Sequence, residues 1–124
     1  MAGGAKRLTG RRVLVVEDSY TVAYLVSATL RDAGATIVGP ASTLQQALDL
    51  LDEGRVDLAV LDIDLGAADV YPLVERLRDR FTPVIYTTGI EREDIPERFR
   101  ENCQLLNKPV IPEELIEAAR RALM

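Results

Sequence analysis

The stretch Val13-Leu14-Val15-Val16-Glu17-Asp18 decides how the rest of the chain is read. Four apolar residues run without a polar break, and two carboxylates follow at once. A strand that is apolar on both faces belongs inside a parallel sheet covered from both sides. The same pattern recurs twice. Leu58-Ala59-Val60-Leu61 runs into Asp62, and Leu105-Leu106 runs into Asn107-Lys108-Pro109.

Between these runs lie helical periods. Val22, Leu25, Val26, Thr29, Leu30 and Ala33 share one face, and Gly34 stops that helix. A short strand, Thr36-Ile37-Val38, follows. Leu44, Ala47, Leu48 and Leu51 form a second helical face that starts after Ser42 or Thr43 as a cap and ends at Gly54. The third strand spans Asp57 to Leu61. A third helix carries Val70, Leu73, Val74 and Leu77, with Pro72 in its first turn. Pro83 to Thr87 reads as the fourth strand and Gln104 to Leu106 as the fifth. The last helix starts near Pro112 and buries Leu115, Ile116, Ala119 and Leu123. Pro96 breaks the segment 91–102, so only a short helix from about Pro96 to Asn102 is expected there, around Ile90, Ile95 and Phe99. Tyr20, Tyr24 and Tyr71 read as packing residues.

Strands alternating with helices imply an α/β fold with helices on both faces of a five-stranded parallel sheet. Right-handed crossovers favour the doubly wound, flavodoxin-like strand order 2-1-3-4-5. Residues 1–10 show no period and read as a flexible arm, which leaves 11–124 as one domain.

A chain of 124 residues can bury a core without disulfides, and 48% hydrophobic content argues against disorder. The net charge of −5 gives no support to binding nucleic acid or an acidic membrane. The single cysteine, Cys103, has no intrachain partner, which fits a reducing cytoplasm. The absence of histidine removes every His-based metal site and triad. No apolar run is long enough to span a membrane.

Strand carboxyl ends share one edge of such a sheet, so Glu17, Asp18 and Asp62 meet there with Lys108. Three carboxylates repel one another, and burial sharpens the repulsion. A hard, oxygen-seeking divalent ion such as Mg²⁺ answers that charge, with Lys108 offsetting what remains. An Asp pressed against a metal and a lysine can act as a nucleophile toward phosphorus. Each residue also has a plainer role open to it. Glu17 and Asp18 alone would read as caps of the next helix, Asp62 as a turn former, and Thr87 and Thr88 as strand residues.

Taken together, these segments resemble the receiver domain of bacterial two-component response regulators. The residues that carry the resemblance are Val13 to Ser19, Asp57 to Leu65 with Asp62 and Asp64, Pro83 to Gly89 with Thr88, and Asn107-Lys108-Pro109. The resemblance implies that Asp62 accepts a phosphoryl group from a phosphohistidine on a histidine kinase or phosphotransfer protein. It implies that Asp18 and Asp62 bind Mg²⁺ directly, Glu17 through water, and Asp64 through its backbone carbonyl. Lys108 and Thr88 would contact the phosphoryl oxygens, and Thr88 would report the modification to a downstream protein target. The Lys108–Pro109 bond is expected to be cis. A cytoplasmic protein, monomeric or weakly dimeric, is implied; the stop at Met124 suggests a stand-alone regulator, with a fragment of a hybrid kinase as the alternative.

The chain departs from the family where Leu65-Gly66-Ala67-Ala68-Asp69 replaces the usual Leu-Pro and Asp-Gly turn, and where Leu105 replaces an aromatic. With Gly89 after Thr88, it resembles alphaproteobacterial receivers that have a Thr-Gly loop and a degenerate fourth helix. Two other functions compete: a receiver that binds proteins without phosphorylation, and a phosphatase built on Asp62-Ile63-Asp64, an Asp-x-Asp motif. Binding of a flavin phosphate is disfavoured, because Glu17-Asp18 would repel it. With no aromatic at 105 to swing inward, phosphorylation is expected to change order around residues 89–102. Amide hydrogen exchange should therefore change in that segment on phosphorylation, and unchanged exchange there would count against this route.

Overall fold

The structure is a computed structural model, and it describes residues 7–65, 69–89, 96–97 and 103–124. Five strands, β1 (Arg12–Val16), β2 (Thr36–Ala41), β3 (Leu58–Asp62), β4 (Val84–Thr88) and β5 (Gln104–Asn107), form one sheet in the order β2-β1-β3-β4-β5. All four pairings are parallel. Among the described residues four helices connect them: α1 (Tyr20–Asp32), α2 (Leu44–Glu53), α3 (Tyr71–Asp79) and α4 (Pro112–Ala122). The flavodoxin-like order is the one expected. The expected short helix from Pro96 to Asn102 lies outside the described residues, apart from Pro96 and Glu97, which are exposed.

The sheet separates two cores. Leu14, Val16, Ala59, Leu61 and Tyr86 point to one side and pack with Ala47 and Leu51 of α2 and Leu73, Val74 and Leu77 of α3. Val13, Val15, Leu58, Val60 and Ile85 point to the other side, against Val26 and Leu30 of α1 and Leu115 and Ala119 of α4. Alternation along each strand sends neighbours to opposite faces, and both faces are covered. This explains why β3 and β4 are buried at every position.

Local signals set the helix ends. Ser19 caps α1, its Oγ accepting from the Val22 N–H, and Thr43 caps α2 through the Gln46 N–H. Pro72 and Pro112 fall in the first turns of α3 and α4, where a missing N–H costs nothing. Gly34 follows α1 at φ +102°, and a Cβ there would lie 2.7 Å from Thr9 Oγ1.

That contact corrects the expectation of a flexible arm through residue 10. Leu8 is 1% exposed within the α1/α4 core, and its N–H donates to Ala33 O at 2.8 Å. Arg55 also donates to Gly10 O. One isolated apolar residue has no period, so nothing short of the fold marks it as core.

Two further readings change. The buried face of α1 is Ala23, Val26, Ser27 and Leu30, with Val22 and Leu25 only half-buried. Small residues let the helix lie close to the sheet, and the face is turned accordingly. Tyr20 and Tyr24 are therefore exposed, not packed, whereas Tyr71 does lie against the core. β2 also runs three residues past Val38, through a bulge in which two steps of β1 face three of β2. Gly39 makes the bulge at φ +103°, where a Cβ would meet Ala41 N at 2.8 Å. The Gly39–Pro40 and Lys108–Pro109 bonds are cis, the second as expected.

Leu8→Ala should destabilise the protein by about 2–4 kcal/mol, as buried leucines generally do. Met124→Ala, at an exposed position, should change stability by less than about 0.5 kcal/mol. Urea denaturation of the two variants tests the placement of Leu8 in the core.

Candidate functional site

Four strands deliver the site to one edge of the sheet. β1 ends at Val16 and hands over Glu17 and Asp18. The bulge in β2 places Ala41 O to accept the Glu17 N–H at 2.9 Å, which fixes where the acid side chain starts. β3 ends on Asp62 and β4 on Thr88, while Lys108 follows β5. The Lys108 N–H donates to Thr88 O at 2.7 Å, and the Ile63 N–H to Thr87 O at 3.0 Å. The ladder thus continues one residue beyond the strands and pins the backbone on which the side chains stand.

Glu17 and Asp62 are both buried, at 4% and 2% exposure, while Asp18 is exposed. One oxygen from each of the three lies within 4.8 Å of the others. Lys108 Nζ sits 3.2 Å from Glu17 Oε1 and 3.2 Å from Asp62 Oδ2. The other oxygens are held by backbone: Ser19 N–H donates to Glu17 Oε2 at 3.0 Å, and Asp64 N–H to Asp62 Oδ1 at 2.9 Å. Since Ser19 and not Asp18 caps α1, the Asp18 carboxylate is not taken up by the helix end.

Charge sets the behaviour of this cluster. Burial pushes the Glu17 carboxyl above its usual range, and the neighbouring Asp62 adds to this. The Ser19 N–H and Lys108 pull the other way without cancelling it. Burial would lower the Lys108 ammonium, but its attraction to Asp62, then to Glu17, outweighs this and holds the lysine above its ordinary value. Glu17 Oε1 is buried and has no hydrogen-bond partner among the described residues; Lys108 meets it as an ion pair. A buried acceptor without a donor, among three hard oxygen donors with one ammonium, suits a hard divalent cation with its waters.

All the residues singled out from the sequence are thus brought together. Thr88 is fully buried, and its hydroxyl donates to Asp64 Oδ2 at 3.4 Å. Asp64 is exposed. The sequence reading did not foresee the contributions of Ser19 and Ala41, or the contact of the Asp64 side chain with Thr88. Two of these act through backbone groups, which carry no residue signature. Asp57, at the opposite end of β3, accepts from the Arg12 N–H at 2.8 Å and pairs with Arg55, so it serves the fold and not this site.

The chain belongs to the response regulator receiver domain family, whose sequence model matches residues 13–120. It is 29% identical over 116 residues to the transcriptional regulatory protein PdtaR of Mycobacterium tuberculosis, covering 91% of this chain and 57% of that protein. It is 30% identical over 115 residues to the regulatory protein VanR of Enterococcus faecium, covering 90% of this chain and 49% of VanR. The chain thus spans about half the length of these relatives. Among solved structures it is similar to SdrG from Sphingomonas melonis (30% identity, TM-score 0.80, 95% of this chain and 98% of that one). It is also similar to CheY4 of Vibrio cholerae (28%, 0.78, 93% and 100%) and to the response regulator PhyR of Brucella abortus (25%, 0.81, 98% and 51%). No helix among the described residues is long and apolar enough to cross a membrane.

Glu17→Gln should stabilise the protein when divalent cations are removed with a chelator. A gain of about 1 kcal/mol would raise the melting temperature by roughly 3–6 °C. The wild-type fold keeps the Glu17 proton to higher pH than the unfolded chain does, so wild-type stability falls as pH rises from the ordinary value of 4.5 through the folded value. Glutamine does not titrate, so the advantage of the variant should be small at acid pH and grow through that window. Melting curves across pH, with and without Mg²⁺, check both the sign and its loss on metal binding.

Proposed function

We propose that this chain is a phosphoacceptor in phosphorelay signalling, with Asp62 as the residue modified. The donor is a phosphohistidine on a histidine kinase or histidine phosphotransfer protein. The observation that carries this reading is the setting of Asp62: a buried carboxylate at a strand end, oriented by the Asp64 N–H and paired with Lys108. An Asp62 oxygen attacks phosphorus, the P–N bond to the imidazole breaks, and the departing nitrogen keeps the electron pair and takes a proton. Lys108 stands beside the oxygen charge that grows during transfer.

Asp18 and Asp62 would hold Mg²⁺ directly, with the Asp64 backbone carbonyl, and Glu17 would do so through water. When bound, the cation offsets the negative charge of the transferring group. Lys108 then keeps the new phosphoryl oxygens paired, and the Thr88 hydroxyl turns toward them. That turn changes the surface around β4 and β5 and so the binding of a downstream protein, in the cytoplasm, from a monomer or weak dimer. The family is one of signalling modules, and the Asp-x-Asp phosphatase reading has the motif at the end of β3 instead of the first strand.

Intact mass after incubation with acetyl phosphate tests this reading. The wild type should gain one phosphoryl adduct in Mg²⁺ and none in chelator, and Asp62→Ala should gain none. An adduct that persists in Asp62→Ala would move the acceptor elsewhere. No adduct from acetyl phosphate or from phosphorylated histidine kinases would leave a receiver that works by binding alone.

A further inference from the structure

The contact between the Asp64 side chain and Thr88 has been given no role so far. Its backbone N–H holds the phosphoacceptor oxygen Asp62 Oδ1, while its own Oδ2 accepts from Thr88 Oγ1 at 3.4 Å. One residue therefore touches both the modified group and the hydroxyl that would respond. Its backbone is firmly placed. Ile63 continues the β3–β4 ladder through Thr87 O, and Leu65 is buried in the α2/α3 core. Thr88 is equally placed, opposite Asn107 in the register and bonded through its carbonyl to the Lys108 N–H.

We propose that Asp64 is a positioning residue, a latch that holds the Thr88 hydroxyl in its resting direction and competes for it with the phosphoryl oxygens on Asp62. This rests on the phosphoacceptor reading and adds to it what the phosphoryl group must displace. At 3.4 Å the hydrogen bond is long, so the latch is weak and a modified Asp62 overcomes it. Repulsion between the Asp64 carboxylate and the negative phosphoryl group is the rival explanation of the same effect, and the test must separate the two. The latch acts only through the Thr88 hydroxyl, whereas repulsion acts with or without it.

Beryllofluoride in Mg²⁺, a stable mimic of the phosphoryl group, serves as the probe. Its affinity and the Thr88 methyl signal are followed by NMR. Asp64→Ala should tighten beryllofluoride binding roughly two- to fivefold, the range a weak net hydrogen bond gives. It should also shift the Thr88 methyl signal in the free protein. Asp64→Asn, which keeps an acceptor oxygen without the charge, should bind like the wild type. In a Thr88→Val background Asp64→Ala should change nothing, while in Thr88→Ser, which keeps the hydroxyl, the effect should return. Tightening that persists in Thr88→Val, or that appears in Asp64→Asn, would assign the effect to charge and overturn the latch. An unmoved Thr88 signal in Asp64→Ala would also overturn it. Wild-type protein that shows no binding of beryllofluoride would overturn the phosphoacceptor reading itself, a result distinct from binding that is equal in wild type and Asp64→Ala.

Discussion

Two carboxylates are buried side by side at the end of a parallel sheet with one ammonium between them. Glu17 and Asp62 share Lys108, and the exposed Asp18 brings a third negative charge to the same place. Burying a carboxylate is costly unless it is paired and hydrogen-bonded. Here the compensation is partial. Ser19 and Asp64 supply backbone donors, Lys108 supplies charge, and Glu17 Oε1 still has no donor among the described residues. The cluster is short of positive charge by construction, and so the fold around it must be rigid enough to hold it together.

The sheet provides that rigidity. β3 and β4 are buried at every residue and anchored in two cores, so their last residues cannot drift from the positive charge they need. Beyond the strand ends the ladder continues through the Ile63 and Lys108 N–H groups. The backbone at the site is thus set by the same hydrogen bonds that make the sheet. The ladder does not set the directions of the side chains that stand on it. A fixed frame with a few rotatable groups suits a site whose charge changes while its scaffold does not.

Much of this was legible in the sequence because both of its periods are strong. Apolar runs mark the inner strands, the 3.6-residue period marks the helices, and the alternation of the two leaves few topologies. The acids and the lysine were legible as a site because each follows such a run. The errors fall where those signals fail. Leu8 stands alone between polar residues, yet it closes the α1/α4 core. Tyr20 and Tyr24 look like packing residues, but the small Ala23 and Ser27 take the face that meets the sheet. The bulge at Gly39 lengthens β2 and brings Ala41 to Glu17, and no side chain announces it.

The sequence by itself determined the α/β class, the strand order and the set of residues at the carboxyl edge, because burial demands on inner strands allow few other arrangements. It also determined the charge balance, since that depends only on which residues are present. Tertiary structure alone decided which oxygen faces which donor. It set Glu17 and Asp62 on one lysine, left Asp18 exposed, and joined Thr88 to Asp64. The reason is range. Periodicity reports whether a residue faces core or solvent, but a hydrogen bond depends on ångström distances across residues far apart in the chain, and these exist only once the sheet has formed.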